Sequence, residues 1–216
     1  IRDIGVTGVQ TCALPIFSVS VIGVAAIAAP FVGVTWSLLP VVAVTIGMAA
    51  VAFAASVLLR KRAKPVEFAA DDRPRHWIVA SLAAAALAAF LIGRRLLNAI
   101  GSPESFSQTF DNVFHLNAVR YILDTGSGSS LTLNAMTGAG SYPAAWHDVV
   151  SLLVSAGGGE ITSAVNAVNI IVAALVWPLG CIYLAQTFWG RRPAVSITAG
   201  VLSAAFGAFP ISLLDF

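Results

Sequence analysis

Asp111 and His115 stand four residues apart in 109–124, a run patterned as a short helix. That spacing sets a carboxylate and an imidazole on one face. A second run places Tyr142, Trp146, His147 and Asp148 close together after a Gly/Ser-rich segment at 126–130. Asp111 is the candidate general base, taking a proton from a hydroxyl as its oxygen attacks an electrophilic carbon. His115 and His147 are the candidate relays, able to pass that proton on or to hold a phosphate leaving group. Tyr142 and Trp146, with Arg94 and Arg95 upstream, complete the candidate substrate-binding set. Plainer roles compete: Asp111 as a helix-terminal charge, each histidine as a hydrogen-bonded structural residue, Asp124 and Asp148 as solvated or capping carboxylates. A divalent ion held by Asp111, His115 and His147 is chemically allowed but lacks the tight spacing of a metal motif, so no metal ligand is assigned.

Local signals frame these side chains. Thr109 suits a helix N-cap, Asp111 suits the first turn, and Gly126 suits the terminator. Pro143 suits the first turn of the second helix. Residues 149–154 are apolar enough for that helix to lie along a membrane surface, with Trp146 and His147 near headgroup level.

The elements around this loop are far more apolar than those of a soluble domain. The chain has 216 residues, of which 58% are hydrophobic and 10% charged, against roughly 25% charged in ordinary domains. Mean hydropathy is +0.87 and net charge only +2, which gives no footprint for nucleic acid. Residues 17–59 contain no charge and have room for two spans, at 17–37 and 40–59, broken at Pro40; Pro30 falls within the first. Further spans are expected at 76–93, 161–189 (interrupted by Pro178) and 194–214. The expected architecture is therefore an all-α polytopic transmembrane bundle of about five spans, with a loop of short amphipathic helices at 94–160.

Arg60, Lys61, Arg62, Lys64, Arg73 and Arg75 make 60–75 basic, and Arg191 and Arg192 do the same for the 190–193 turn. The positive-inside rule puts both in the cytoplasm and the 94–160 loop outside it, in the cell membrane. Arg94 and Arg95 fall on the other side, where they can snorkel to headgroups or meet an anionic lipid group. Cys181, in an apolar run, reads as a small hydrophobe. Residues 6–16 resemble the translation of a sequencing-library adapter, so 1–16, with Arg2, Asp3 and Cys12, are set aside as non-native. The natural protein is expected to extend beyond this fragment at both ends.

The segments SQTFDNVFHLNAVRYILDTG (107–126) and YPAAWHDVVSL (142–152), followed by a Pro-containing span, resemble an uncharacterised family of large actinobacterial multi-pass membrane proteins. That family in turn resembles the GT-C glycosyltransferases. The resemblance implies an all-helical membrane enzyme for cell-envelope glycan synthesis. Its donor would be a polyprenyl-phosphate-linked sugar and its acidic catalytic residue would lie in an extracytoplasmic loop, at Asp111 here. It implies no bound cofactor, with the bilayer and the lipid-linked sugar as partners. No Asp-x-Asp or Glu-x-Asp pair is present, so metal-dependent members fit poorly, and two spans precede the one leading into the loop instead of none. A non-catalytic envelope scaffold and a lipid or solute transporter are the alternatives. Transport is disfavoured by spans nearly free of ionisable residues, with Asn166 and Asn169 as polar substitutes expected to bond between helices.

Overall fold

In a computed structural model, which describes residues 6–60, 76–138, 140–157 and 159–206, the protein is an all-α bundle. The helices are α1 (Val6–Phe31), α2 (Leu38–Arg60), α3 (His76–Ile100), α4 (Phe110–Thr125), α5 (Asn134–Thr137), α6 (Ala145–Gly157), α7 (Ile161–Ile171), α8 (Trp177–Trp189) and α9 (Pro193–Ala205). Among the described residues three continuous stretches are long and apolar enough to cross a membrane: Leu38–Leu59, His76–Ile100 and Ile161–Trp189. Ile16–Phe31 and Pro193–Ala205 are shorter apolar helices. The basic stretch 61–75, residues 1–5 and the expected span end at 207–216 lie outside the described residues, as does the side chain of Cys12.

Helix ends depart from the sequence expectation where backbone chemistry outweighs hydropathy. α1 stops at Phe31, one residue past Pro30, and Gly33 takes a left-handed φ of 69° in the turn. Pro40 sits in the first turn of α2, where its missing donor costs nothing. α3 does not stop at residue 93. Arginine is a good helix former, so the helix runs through exposed Arg94 and Arg95 until Gly101, at φ 78°, ends it.

The bundle has two lobes. In the first, α3, α8 and α9 pack together. α3 buries Ala84, Ala88, Ile92, Leu96 and Ile100, a four-residue repeat along one face, and Gly200 of α9 crosses it so closely that an added Cβ would lie 2.7 Å from Ala84 Cβ. Small residues at such a crossing let backbones approach, the usual way helices associate in lipid. At the far end of α3, the Gln186 side-chain amide donates to Ser81 Oγ (2.7 Å) and Ser196 Oγ (2.8 Å). Ser81 donates in turn to the Trp77 carbonyl at 2.7 Å. The Arg191 guanidinium lies 5.0 Å from the Trp77 ring centre, so the 190–193 turn and the start of α3 share one end of the bundle.

α7 and α8 form one 29-residue span. Pro178 lacks an N–H and its ring crowds the preceding turn. The chain answers with a widened π turn at Val172–Val176, in which the Trp177 N–H reaches back to the Val172 carbonyl.

The second lobe sits at the other end, where α4 and α6 pack on each other, α6 on α1 and both on α7. Ala25, Ala26, Trp36, Ala118, Ile122, Leu133, Ala144 and Leu152 form one core, and Val119, Val150, Ala164, Val165 and Val168 form another. α6 is sandwiched: Val150, Ser151 and Leu152 are buried because α1, α4 and α7 pack around it. Asn166 donates to the carbonyls of Pro103 (2.9 Å) and Ser105 (2.7 Å), tying the loop after α3 to α7 instead of pairing two helices.

Candidate functional site: a histidine pair over a buried acid

α4 forms as its sequence requires. Thr109 caps it by accepting from the Asn112 N–H, Asp111 lies in the first turn, and Gly126 closes it at φ 62° with its N–H on the Ile122 carbonyl. α6 begins just after Pro143, which precedes the first turn instead of occupying it; the Ala144 carbonyl accepts from the Asp148 N–H at 2.8 Å. Ser130 fixes that start, its carbonyl accepting from the Tyr142 N–H (2.9 Å) and its hydroxyl from the Ala144 N–H (3.2 Å).

These supports bring His115 and His147 into direct contact, Nδ1 to Nε2, at 2.9 Å. Aromatic rings surround the pair. Phe114 stands edge-on to His115 and to Tyr142, with centroids 5.5 and 5.0 Å apart, and Trp146 lies 5.8 Å from His115 and 5.1 Å from His147. The two His rings, Tyr142 and Trp146 thus form one cluster. Asp111 stays exposed one turn before His115 on the same helical face, with no hydrogen bond or ion pair to described residues. Arg94 and Arg95 are exposed on α3 and make no recorded contact with the cluster. Asp124 is solvated and paired with Arg120 at 3.0 Å.

His147 is buried, and that burial, with His115 beside it, lowers its pKa to about 4. The Ala144 and Pro143 carbonyls pull weakly the other way. His147 Nδ1 has no hydrogen-bond partner. His147 is therefore neutral near pH 7. Which ring donates in the His115 Nδ1–His147 Nε2 bond follows from the tautomer, and His115 Nε2 has no hydrogen bond to the described residues.

Asp148 is the largest departure from the sequence reading. It has 0% exposure, neither carboxylate oxygen has a partner, and burial pushes its pKa up to about 8. The cause is the 126–130 segment, which is a packed turn, not a flexible link. The Ser129 carbonyl accepts from the N–H groups of Thr132 (2.9 Å) and Leu133 (3.2 Å), and Ser127 Oγ meets Thr132 Oγ1 at 2.9 Å. Gly128 presses on Asp148: a Cβ there would collide with Asp148 Oδ1 and lie 3.1 Å from the Trp36 indole. Trp36 and Ser151 belong to this site and were not singled out from sequence. Trp36 Nε1 donates to Ser151 Oγ at 2.9 Å, and its backbone N–H to the Gly126 carbonyl at 2.7 Å. The available signal was the spacing of His147, Asp148, Ser151 and Ser155, which puts them on one face of α6.

Among the described residues no group of three His, Cys, Asp or Glu side chains is arranged to hold a metal ion. A shallow groove of about 490 Å³ runs along the outer face of α4, lined by Phe110, Val113, Phe114, Asn117, Tyr121 and Met136 and reaching the Arg120–Asp124 pair. Phe114 separates it from the histidines. All-helical architecture, long apolar spans and this polar cluster at one end together define an apolar multi-helix protein compatible with a membrane. The chain belongs to a family of unknown function, DUF6541, whose family model matches residues 2–216 and so includes the segment set aside above as adapter-like. No curated protein and no solved structure matches it.

Proposed function

We propose that the α4–α6 lobe is the catalytic end of a membrane glycosyltransferase of the GT-C kind, facing away from the cytoplasm and using a polyprenyl-phosphate-linked sugar. The observation that carries this reading is the His115–His147 pair. It is a preorganised imidazole relay with one nitrogen open, aromatic surfaces around it, and a free carboxylate one turn away on the same face.

In this reading Asp111 takes the proton of an acceptor hydroxyl as its oxygen bonds to the anomeric carbon, and the bond from that carbon to the phosphate oxygen breaks. The contact with His147 orients the His115 ring. His115 Nε2 is the hydrogen-bonding group for the departing phosphate oxygen. Tyr142 and Trp146 offer ring faces for the sugar. Arg94 and Arg95, on the helix leading into the loop, are placed for a lipid headgroup or diphosphate. The absence of acidic or basic residues from the middle of the described spans speaks against transport.

The test is transfer from polyprenyl-phosphate-linked sugars by membranes containing the full-length protein. Asp111→Asn should abolish transfer, and His115→Asn should lower it by roughly 10²-fold or more. Full activity in both variants would overturn the mechanism and favour a scaffold.

A further inference from the structure

Asp148 has no part in that chemistry, yet its surroundings are unusually specific. The turn of α6 that carries it also carries Ser151, the acceptor for Trp36, and the Ser151 hydroxyl in turn donates to the Asp148 carbonyl at 2.9 Å. Trp36 spans three elements. Its backbone holds the end of α4, its indole nitrogen holds α6, and its ring covers Gly128, behind which the carboxyl is sealed. The residue before Asp148 is His147, so the same helical turn also sets the histidine pair.

No countercharge reaches the carboxyl. The described part of α1, the 32–37 turn and residues 126–133 present no charged side chain. From α4, His115 is engaged with His147, Arg120 with Asp124, and the Tyr121 hydroxyl faces the Thr132 carbonyl at 3.5 Å. Tyr142 packs edge-on to Phe114, and Glu160 is exposed at the start of α7. An ionised carboxylate in that seat would have neither water nor partner, which is far costlier than a neutral acid.

We propose that Asp148 is a positioning residue that works as an uncharged acid: while it keeps its proton the 32–37 turn stays seated on the histidine lobe, and when the proton is lost to water Trp36 lifts away so that the carboxylate can hydrate. Gly128 couples the two groups: a Cβ there would collide with Asp148 Oδ1 and lie 3.1 Å from the Trp36 indole, so carboxyl and indole pack against the same glycine. Burial puts the transition near pH 8, close to ordinary conditions. The seating of Trp36 does not depend on what the lobe catalyses. The effect on His147, and hence on transfer, rests on the function proposed above.

The experiment is hydrogen exchange of segment 32–37 in the full chain in detergent micelles, corrected for intrinsic rates, from about pH 6 to about pH 10. The wild type should lose protection there by about tenfold or more as pH passes about 8. Asp148→Asn, isosteric and always neutral, should keep that protection across the range. Iodide quenching of Trp36, isolated by comparison with Trp36→Phe, should rise over the same interval in wild type. PH-independent protection and quenching in the wild type would overturn the proposal, as would an Asp148→Asn profile that follows the wild type. Should the Asn variant fail to fold, the wild-type profiles alone decide. An alkaline release of Trp36 in a protein without transferase activity would leave this device standing and remove only the function.

Discussion

The two ends of this bundle each hold a polar cluster, and they are built on opposite terms. At the Trp77 end, one amide of Gln186 satisfies two hydroxyls, and each hydroxyl also donates or accepts elsewhere. Both hydroxyls and the Gln186 amide nitrogen are engaged within the network. At the Trp36 end, His147 Nδ1 and both oxygens of Asp148 are buried without partners, and His115 Nε2 is unpaired. Buried polar groups are nearly always bonded. A helix bundle that closes one cluster and leaves the other open shows that its sequence can satisfy such groups. The open cluster therefore reads as a place kept for chemistry or for a change of state.

The contrast can be broken by substitution, beginning where the effect should be largest. Gly200→Val forces a side chain against the Ala84 backbone, whose atoms lie 3.1 Å from the added Cβ, and should destabilise the α3–α9 crossing by about 3 kcal/mol. Thermal unfolding in detergent checks it, and an unchanged midpoint would mean that the crossing yields easily.

Next comes pH. The acid of Asp148 has a folded pKa raised from 3.8 to about 8, and His147 has one lowered from 6.5 to about 4. Between about 4 and 6.5 the folded lobe keeps its proton on Asp148 while the unfolded chain keeps one on His147. The proton counts match and these groups impose no slope. Above 6.5 the unfolded chain holds neither proton and the folded lobe still holds one. Stability should then fall by about a tenfold change in equilibrium per pH unit until about pH 8, and level off beyond. Denaturation curves across that range, repeated on Asp148→Asn, isolate the term; a slope that survives the substitution belongs to other groups.

The smallest effect separates the clusters most cleanly. Gln186→Ala should cost about 1 kcal/mol by removing the donor shared by Ser81 and Ser196, without touching the lobe where His115 sits. His115→Asn should cost less stability and far more function. Equal losses of stability in the two variants would erase the distinction.

Much of the frame was readable from residue types alone. Uncharged runs marked the long helices, and Thr109 and Gly126 marked both ends of α4 to within a residue, because capping is local chemistry. The site was only half readable. Asp111 and His115 share a face by spacing, and Tyr142, Trp146 and His147 are neighbours in sequence, so proximity within each group was foreseeable. Contact between the groups was not, since it depends on α4 docking against α6 across a turn whose order comes from serine hydroxyls. Asp148 was misread for the same reason. A lone carboxylate in a helix is normally solvated, and only the arrival of Trp36, more than a hundred residues earlier in the chain, seals it. Trp36 itself carried no sequence signal linking it to the loop.

The wide turn at Val172–Val176 has a geometrical result of its own. An extra residue in a helical turn rotates everything beyond it by about 100°. Here that phase shift lets Ala164, Val165 and Val168 before the turn, and Ala173, Ala174, Pro178 and Ile182 within or after it, be buried in turn against the second lobe and against α3 and α9. A single span thus serves two neighbourhoods whose azimuths differ. Deleting one residue there would not simply shorten the rod; it would swing the lower half's inward stripe toward lipid while the upper half stayed in register.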